Sequence, residues 1–119
     1  MKSTSIIPVK SFQFALKVVS VYQKLINTKK EYVIGKQLLR CGTSIGANVV
    51  ESRGAFSRKD FEFKLSIAYK EAKETEYWIQ LLEASQILDK AIYQELSLDV
   101  IELQRLLGSA LITLRKNQK

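Results

Sequence analysis

Three carboxylates lie close together in the middle of the chain and could hold a metal ion. Glu71, Glu74 and Glu76 fall within six residues of a predicted helix, and Glu51 and Glu102 fall on two other helices. Helical bundles that bind two iron ions combine such carboxylates with Glu-x-x-His pairs, and this chain contains no histidine. Salt bridges between helices or capping interactions are therefore the favoured interpretation. We predict no metal site.

Other catalytic and cofactor chemistry also finds little support in the residue types. Without histidine the chain lacks the most common general base, and Cys41 has no activating neighbour in the sequence. Gly42 and Gly46 lack the following lysine and the preceding strand of a Walker-type phosphate loop. The GxGxxG pattern of dinucleotide-binding proteins is absent too. We predict that the protein is not an enzyme and binds no cofactor.

The elements that must position these residues are predicted to be helices. The chain has 119 residues, one proline and five glycines, and no segment alternates apolar and polar residues for long. Apolar residues recur at three- and four-residue steps in four ranges, about 8–27, 32–53, 58–86 and 92–116. This pattern predicts an all-α protein whose single domain, residues 1–119, is an antiparallel, up-down four-helix bundle.

The same spacing predicts which face of each helix points inward. In the first helix, which is expected to carry Pro8 in its first turn, the inward stripe comprises Phe12, Ala15, Val19, Tyr22 and Ile26. In the other three helices the stripes comprise Ile34, Leu38, Cys41, Ile45, Asn48 and Ser52; Phe61, Leu65, Ala68, Ala72, Thr75, Ile79 and Leu82; and Leu96, Val100, Leu103, Leu107, Ala110 and Leu114.

Small residues in the second helix indicate a close contact with a neighbour. Gly42 and Gly46 stack one turn apart, and each weakens the helix by up to ~1 kcal/mol relative to alanine. Another backbone or a bulky side chain is therefore expected to fill the groove that they open. Gly54 is expected to end this helix. Asn48 is expected to have a structural role, because it lies on an otherwise apolar stripe.

The charge of the chain is unevenly distributed. Nineteen Lys and Arg residues outnumber twelve Asp and Glu residues, which gives +7 overall. Residues 1–59 carry eleven basic and two acidic residues (+9), residues 60–114 carry five and ten (−5), and the last five residues add +3. This asymmetry fits an anionic partner for the basic half, and it fits equally well an attraction between two halves of one domain.

Basic residues in the first half form two candidate nucleic-acid surfaces. Lys10, Lys17 and Lys24 fall seven residues apart and therefore line one face of the first helix. The larger surface adds Lys29, Lys30, Lys36 and Arg40, and the smaller one comprises Arg53, Arg58 and Lys59. The alternative is an ordinary solvated face. Since the aromatic residues are spaced like core residues, we expect no stacking platform, and binding through phosphates with little base specificity.

Several large apolar residues lie outside the predicted stripes. On the outer faces of the second and third helices these are Val50, Phe63, Ile67, Tyr77, Trp78 and Leu81. A bundle of this size cannot bury all of them, and a large exposed apolar patch usually marks an interface. We therefore predict a cyclic homo-oligomer.

Motifs in residues 40–85 resemble those of a known family. An S-I-x-x-N-x-x-E-x-x-G run is formed by Ser44, Ile45, Asn48, Glu51 and Gly54. A second run is formed by Ser57, Asp60, Phe61, Ile67 and Ala68. A third, K-E-A-x-E-T-x-Y-W, spans residues 70–78 and includes Glu71 and Glu74. These motifs resemble the four-helix-bundle proteins known from 23S rRNA intervening sequences.

The resemblance implies a fold and an assembly more than an activity. Relatives include the accessory protein of diversity-generating retroelements, which forms a pentameric barrel and binds nucleic acid and a reverse transcriptase. For most members no molecular activity is established. The resemblance thus implies a four-helix bundle that forms a pentamer, with nucleic acid as one candidate partner.

Together these observations favour a non-enzymatic, self-associating bundle that binds structured RNA or DNA through basic surfaces. The alternative is a structural oligomer or adaptor whose partner is another protein. The longest run without a charged residue, 41–50, is too short to span a membrane. The first ten residues hold too few apolar side chains for a signal peptide. With a single cysteine as well, we expect a cytoplasmic protein without a membrane partner.

Overall fold

The computed structural model describes residues 2–117, which form four long helices. These are α1 (Lys2–Lys24), α2 (Val33–Ser52), α3 (Arg58–Ala84) and α4 (Lys90–Lys116). A π-helical turn, Leu25–Lys29, follows α1 directly. No strand occurs in this part of the chain. The predicted all-α class is confirmed.

The helices form a ring around one core. α1 packs on α2, α2 on α3, α3 on α4, and α4 on α1. The connections are short, so neighbouring helices run antiparallel, as predicted for an up-down bundle. A helix of 27 residues is about 40 Å long. The helices therefore run along the 51 Å long axis of the described chain.

The predicted bounds of the second, third and fourth helices agree with the structure to within two residues at each end. The first helix begins earlier, and Pro8 lies inside it, so the placement of Pro8 in the first turn is wrong. An internal proline removes one amide donor and its ring crowds the carbonyl of the preceding turn, yet the helix continues through Pro8. The Ser11 hydroxyl donates a hydrogen bond to the Pro8 carbonyl at 3.2 Å.

The core face of α1 also differs from the predicted one. Phe12 is 64% exposed and Val19 is 38% exposed, and Ala15, Tyr22 and Ile26 are half-buried. The predicted stripe is therefore wrong. Because α1 is apolar on more than one side, a three- and four-residue spacing fits more than one of its faces. The buried residues of α1 and its π-helical turn are Ile7, Ser11, Phe14, Val18, Val21 and Leu25.

The predicted stripes of the other three helices are confirmed in their central parts. Phe61, Ile34, Asn48 and Leu114 are half-buried. The fully buried members are Leu38, Cys41, Ile45 and Ser52 of α2, Leu65, Ala68, Ala72, Thr75, Ile79 and Leu82 of α3, and Leu96, Val100, Leu103, Leu107 and Ala110 of α4.

Helix ends in this chain do not depend on glycine. α2 ends at Ser52, two residues before Gly54, and no glycine in the described chain has a positive φ. Left-handed backbone occurs instead at Lys30 (φ 54°), after the π-helical turn, and at Gln86 (φ 63°), after α3. α3 begins with a side-chain cap, because the Ser57 hydroxyl accepts a hydrogen bond from the Asp60 amide at 3.0 Å.

Gly42 lies against Val18 of α1 with no room for a side chain. A β-carbon at this position would lie 2.9 Å from both methyl carbons of Val18, which is fully buried. Gly46 is looser, since its nearest neighbour, the Ser11 carbonyl oxygen, would be 3.4 Å from a β-carbon. The valine side chain is therefore the group that fills the groove at Gly42.

We expect Gly42→Ala to destabilise the fold by about 1–3 kcal/mol, the usual consequence of overpacking. Val18 is β-branched and held on all sides, so it cannot rotate away from an added methyl group. Gly108→Ala is the matched control, because its β-carbon would lie 3.6 Å from Tyr69, an ordinary contact. That substitution should be neutral or stabilising. Urea unfolding followed by circular dichroism measures both, and equal midpoints for the two variants would contradict close packing at Gly42.

Candidate functional site

The neighbouring carboxylates of α3 are held by residues of the adjacent helices. Arg40 of α2 places its Nη1 3.4 Å from Glu71 Oε1 and bonds through Nη2 to Glu74. Glu76 accepts a hydrogen bond from Gln104 of α4 at 2.8 Å. Within the described part of the chain, no three His, Cys, Asp or Glu side chains are grouped so that they could hold a metal ion. These carboxylates act as ties between α3 and its two neighbours.

Cys41 lies in the core and is fully buried. Burial raises the pKa of its thiol to about 11, and the carboxylate of Glu74 acts in the same direction. The nucleophilic form of cysteine is the thiolate, which is scarce at neutral pH when the pKa is that high. The position and protonation state of Cys41 are those of a core residue.

Two lysines of the predicted stripe on the first helix are paired with carboxylates of α4. Lys10 Nζ lies 3.3 Å from Glu102 Oε2. Lys17 Nζ lies 2.6 Å from Asp99 Oδ2 and 2.8 Å from Glu95 Oε2. Hydrogen bonds to Asp99 and then to Glu95 raise the pKa of Lys17 above its ordinary value. At these positions the basic residues of the first half of the chain attract the acidic residues of the second half.

Three of the ten candidate nucleic-acid residues, Lys10, Lys17 and Arg40, therefore have carboxylate partners within the chain. The other seven are exposed and make no ion pair with any residue that the structure describes. They fall at two connections: the α1–α2 corner (Lys24, Lys29, Lys30 and Lys36) and the α2–α3 corner (Arg53, Arg58 and Lys59). The 20 residues of α2 separate the two corners by about 30 Å.

Each basic corner also carries an exposed aromatic side chain, which the sequence analysis did not anticipate. Phe56 is 102% exposed in the α2–α3 corner, and Tyr32 is 50% exposed at the α1–α2 corner. The available signal was position: Phe56 lies between two helices, outside the apolar stripes, with Arg53 and Arg58 close by in sequence. The expectation that the aromatic residues occupy core positions is therefore wrong for Phe56 and Tyr32.

The six predicted interface residues differ widely in exposure. Phe63 and Tyr77 are 58% and 56% exposed on α3, and Ile67 and Leu81 are half-buried. Trp78 packs against the core, and its indole N–H donates to Glu74 at 2.9 Å.

Val50 is 65% exposed, but it lines a groove between α2 and α1 instead of joining the surface of α3. The face that flanks this groove was not predicted from the spacing of apolar residues. Its members are Val9, Phe12, Leu16 and Val19 of α1, which are 57%, 64%, 57% and 38% exposed. The sequence of α1 contains two apolar stripes, and this could have indicated that one of them is exposed.

The motif residues of α2 and α3 mostly serve the packing of these helices. Asn48 donates hydrogen bonds to the carbonyl and hydroxyl oxygens of Ser44, at 2.9 and 3.1 Å. Glu51 pairs with Lys64 across the α2–α3 contact at 2.9 Å. Ile45 and Ala68 are in the core, and Phe61 packs against it. None of these side chains points to a reaction, and each has a role in the fold.

Comparisons with known proteins agree with this architecture. Residues 4–109 match the family described as 23S rRNA-intervening sequence protein. A crystal structure from Bacteroides thetaiotaomicron, of a protein with unknown function from the S23 ribosomal protein family, has 44% sequence identity and a TM-score of 0.89. The similarity covers 92% of this chain and 97% of that chain. No curated protein matches. None of the helices in the described chain combines the length and apolar character needed to cross a bilayer.

The Lys17–Asp99 pair should contribute a coupling free energy of about 0.2–1 kcal/mol, since both groups are partly exposed. A double-mutant cycle with Lys17→Gln and Asp99→Asn, followed by urea unfolding at low salt, measures it. The pKa of Lys17 is raised on folding, so the coupling is present below the ordinary value of 10.5 and is lost as the pH rises through the raised pKa. Lys24→Gln, which removes an unpaired lysine of the same helix, is the control. A coupling of zero at neutral pH would contradict the ion pair.

Proposed function

This chain belongs to the 23S rRNA-intervening sequence protein family, and we propose from that premise that it is a non-enzymatic, self-associating bundle that binds RNA or DNA. The nucleic acid contacts the two basic corners, and copies of the chain meet through an apolar face. The proposed assembly is a cyclic homo-oligomer of five subunits, after the pentameric barrel that the family resemblance implies. The proposed location is the cytoplasm.

The observation that carries the nucleic-acid proposal is the set of seven exposed cations that have no carboxylate partner among the described residues. A cation that already pairs with a carboxylate gains little from a phosphate, because the new contact replaces an existing one. The cations of the two corners have no such competitor in the described chain, and all are exposed. Phosphate neutralisation by such residues releases condensed counterions, which favours binding at low salt. The proposed contact surface is therefore smaller than the one predicted from sequence, and it excludes the middle of α1.

The observation that supports self-association is the apolar face of α1 and α2. The exposed side chains of Val9, Phe12, Leu16, Val19 and Val50 present apolar surface on the order of 400 Å², the size of a functional patch on a typical monomer. Beside this ridge runs a groove of about 290 Å³. Helix packing requires a ridge and a groove of this kind.

Charge favours a second copy as the occupant of this face. The residues that line the groove are all uncharged: Pro8, Ser11, Phe12, Ala15, Thr43, Gly46, Ala47 and Val50. Two chains of charge +7 repel each other overall, and an uncharged groove lets them meet without bringing like charges together. An acidic protein partner or a nucleic acid would find no charged group to pair with there.

The alternative, an adaptor that binds another protein and no nucleic acid, is favoured by the same exposed apolar surface. The two proposals differ in what the basic corners do. Binding of nucleic acid that depends on the corners supports the first, and no binding at near-physiological salt supports the second.

Replacing corner cations should weaken nucleic-acid binding more than replacing paired ones. We expect Arg53→Gln/Lys59→Gln to lower affinity for duplex and folded RNA alike, and to make the slope of log affinity against log salt shallower by about 0.9 per lost contact on duplex DNA. The control, Lys10→Gln/Lys17→Gln, removes the same charge from paired positions and should have a smaller effect on the slope. Mobility shifts across a salt series measure both. Equal slopes for the two variants would contradict the assignment to the corners.

A charge placed on the apolar face should break the assembly. We expect light scattering to give a multiple of the monomer mass for the wild type at micromolar concentration, and a monomer for Leu16→Glu, because the variant would bury a carboxylate without a partner. Leu98→Glu, at a 71% exposed position on α4, is the matched control and should keep the wild-type mass. A monomeric wild type would contradict self-association. An assembled Leu16→Glu variant would contradict the choice of face alone.

A further inference from the structure

The α2–α3 corner holds a phenylalanine that contributes nothing to the fold. Phe56 is fully exposed, so its ring packs against none of the residues that the structure describes. The turn around it is held by other groups: the Ser57 hydroxyl caps α3, and the Phe56 amide, not its ring, donates to Asp60 at 3.4 Å. Single exposed apolar residues are common on protein surfaces. What distinguishes this one is its surroundings.

Three exposed cations surround this ring in the sequence and flank it at the corner. Arg53 and Lys59 make no hydrogen bond or ion pair through their side chains within the described residues. Arg58 donates one hydrogen bond to the Leu114 carbonyl at 3.3 Å, which anchors its guanidinium beside the end of α4. Lys116, which is also exposed, lies two residues beyond that carbonyl.

The carboxylates near this corner are already engaged within the chain. Glu51 pairs with Lys64 at 2.9 Å, and Glu62 pairs with Arg115 at 3.1 Å. Asp60 lies in the first turn of α3 and accepts the hydrogen bond from the amide of Phe56. The cations of the corner are therefore available to an external anion, and the exposed ring of Phe56 lies between them in the sequence.

We propose that the α2–α3 corner binds unpaired nucleotides, with a base stacked on Phe56 and the adjoining phosphates contacted by Arg53, Arg58 and Lys59. An exposed aromatic ring among cations is the combination by which proteins hold single strands, since every base has a face that stacks and every nucleotide carries a phosphate. A duplex offers no free base face along its length, so the ring adds nothing to duplex binding. This inference rests on the proposed nucleic-acid binding and adds a preference for single-stranded segments.

A second protein is the less favoured partner for this ring. An apolar contact between proteins would have to desolvate the surrounding cations without acidic partners to replace their water. A second copy of this chain also carries a net positive charge, so it would be repelled from this corner. A nucleic acid can contact both the ring and the cations of this corner, and it is therefore the favoured partner.

The test compares Phe56→Ala with Phe63→Ala, a substitution of the same residue type at a 58% exposed position on α3. The probes are a fluorescently labelled single-stranded RNA of about twelve nucleotides and a duplex of the same sequence, titrated by fluorescence anisotropy across a salt series. We expect Phe56→Ala to weaken single-strand binding by about tenfold or more, in line with the loss of one stacked base. Its salt slope should equal that of the wild type, because no cation is removed. Phe56→Trp, which keeps an aromatic ring at this position, should bind the single strand about as tightly as the wild type does.

Each outcome of this experiment has a distinct meaning. Unchanged duplex affinity in Phe56→Ala, together with weakened single-strand binding, supports stacking. Wild-type single-strand affinity in Phe56→Ala overturns the inference while leaving the phosphate contacts of the corners in place. A change of assembly mass in Phe56→Ala without loss of RNA binding also overturns it, in favour of a protein contact. A wild-type protein that binds neither probe contradicts the proposed function itself.

Discussion

The contact between Val18 and Gly42 sets the rotation of α1 on the rest of the bundle. Both methyl groups of Val18 occupy space that a β-carbon on α2 would fill, so the lack of a side chain at Gly42 lets α1 pack with Val18 inward. Phe14 and Val21 follow it into the core, because they lie one turn to either side. The second apolar stripe, with Phe12 and its neighbours, is thereby turned outward. The packing of Val18 against Gly42 is thus linked both to which residues of α1 enter the core and to which of its apolar residues remain exposed.

The same rotation distributes the charge of the molecule. With Val18 inward, Lys10 and Lys17 reach the carboxylates of α4 and are neutralised there. Partly exposed pairs of this kind contribute little to stability. Their larger effect is on the electrostatic potential, because they neutralise the middle of α1 and leave the unpaired candidate cations at the two corners. The charge asymmetry of the sequence therefore has two results: ion pairs between α1 and α4, and unpaired cations at the two corners.

Sequence spacing was sufficient where a helix has one apolar face. In α2, α3 and α4 one apolar stripe runs along the helix and the other large apolar residues lie apart from it, so the core positions and bounds of these helices follow from the sequence. α1 has two, and the choice between them depends on a contact with Gly42, 24 residues away from Val18, that no local pattern contains. The site was less predictable for the same reason. A list of lysines does not show which of them face a carboxylate on another helix, and this depends on packing.

Because Cys41 is buried, the reactivity of its thiol reports how often the core around α2 opens to water. A thiol in the core, with a pKa of about 11, is shielded from reagents in water and is almost entirely protonated at neutral pH. Modification can proceed only during moments when α2 separates from its neighbours, so its rate follows the free energy of that separation. Since the chain has no other cysteine, the signal comes from one place. The rate of Cys41 modification therefore measures local opening between α2 and α3 in the protein without any substitution.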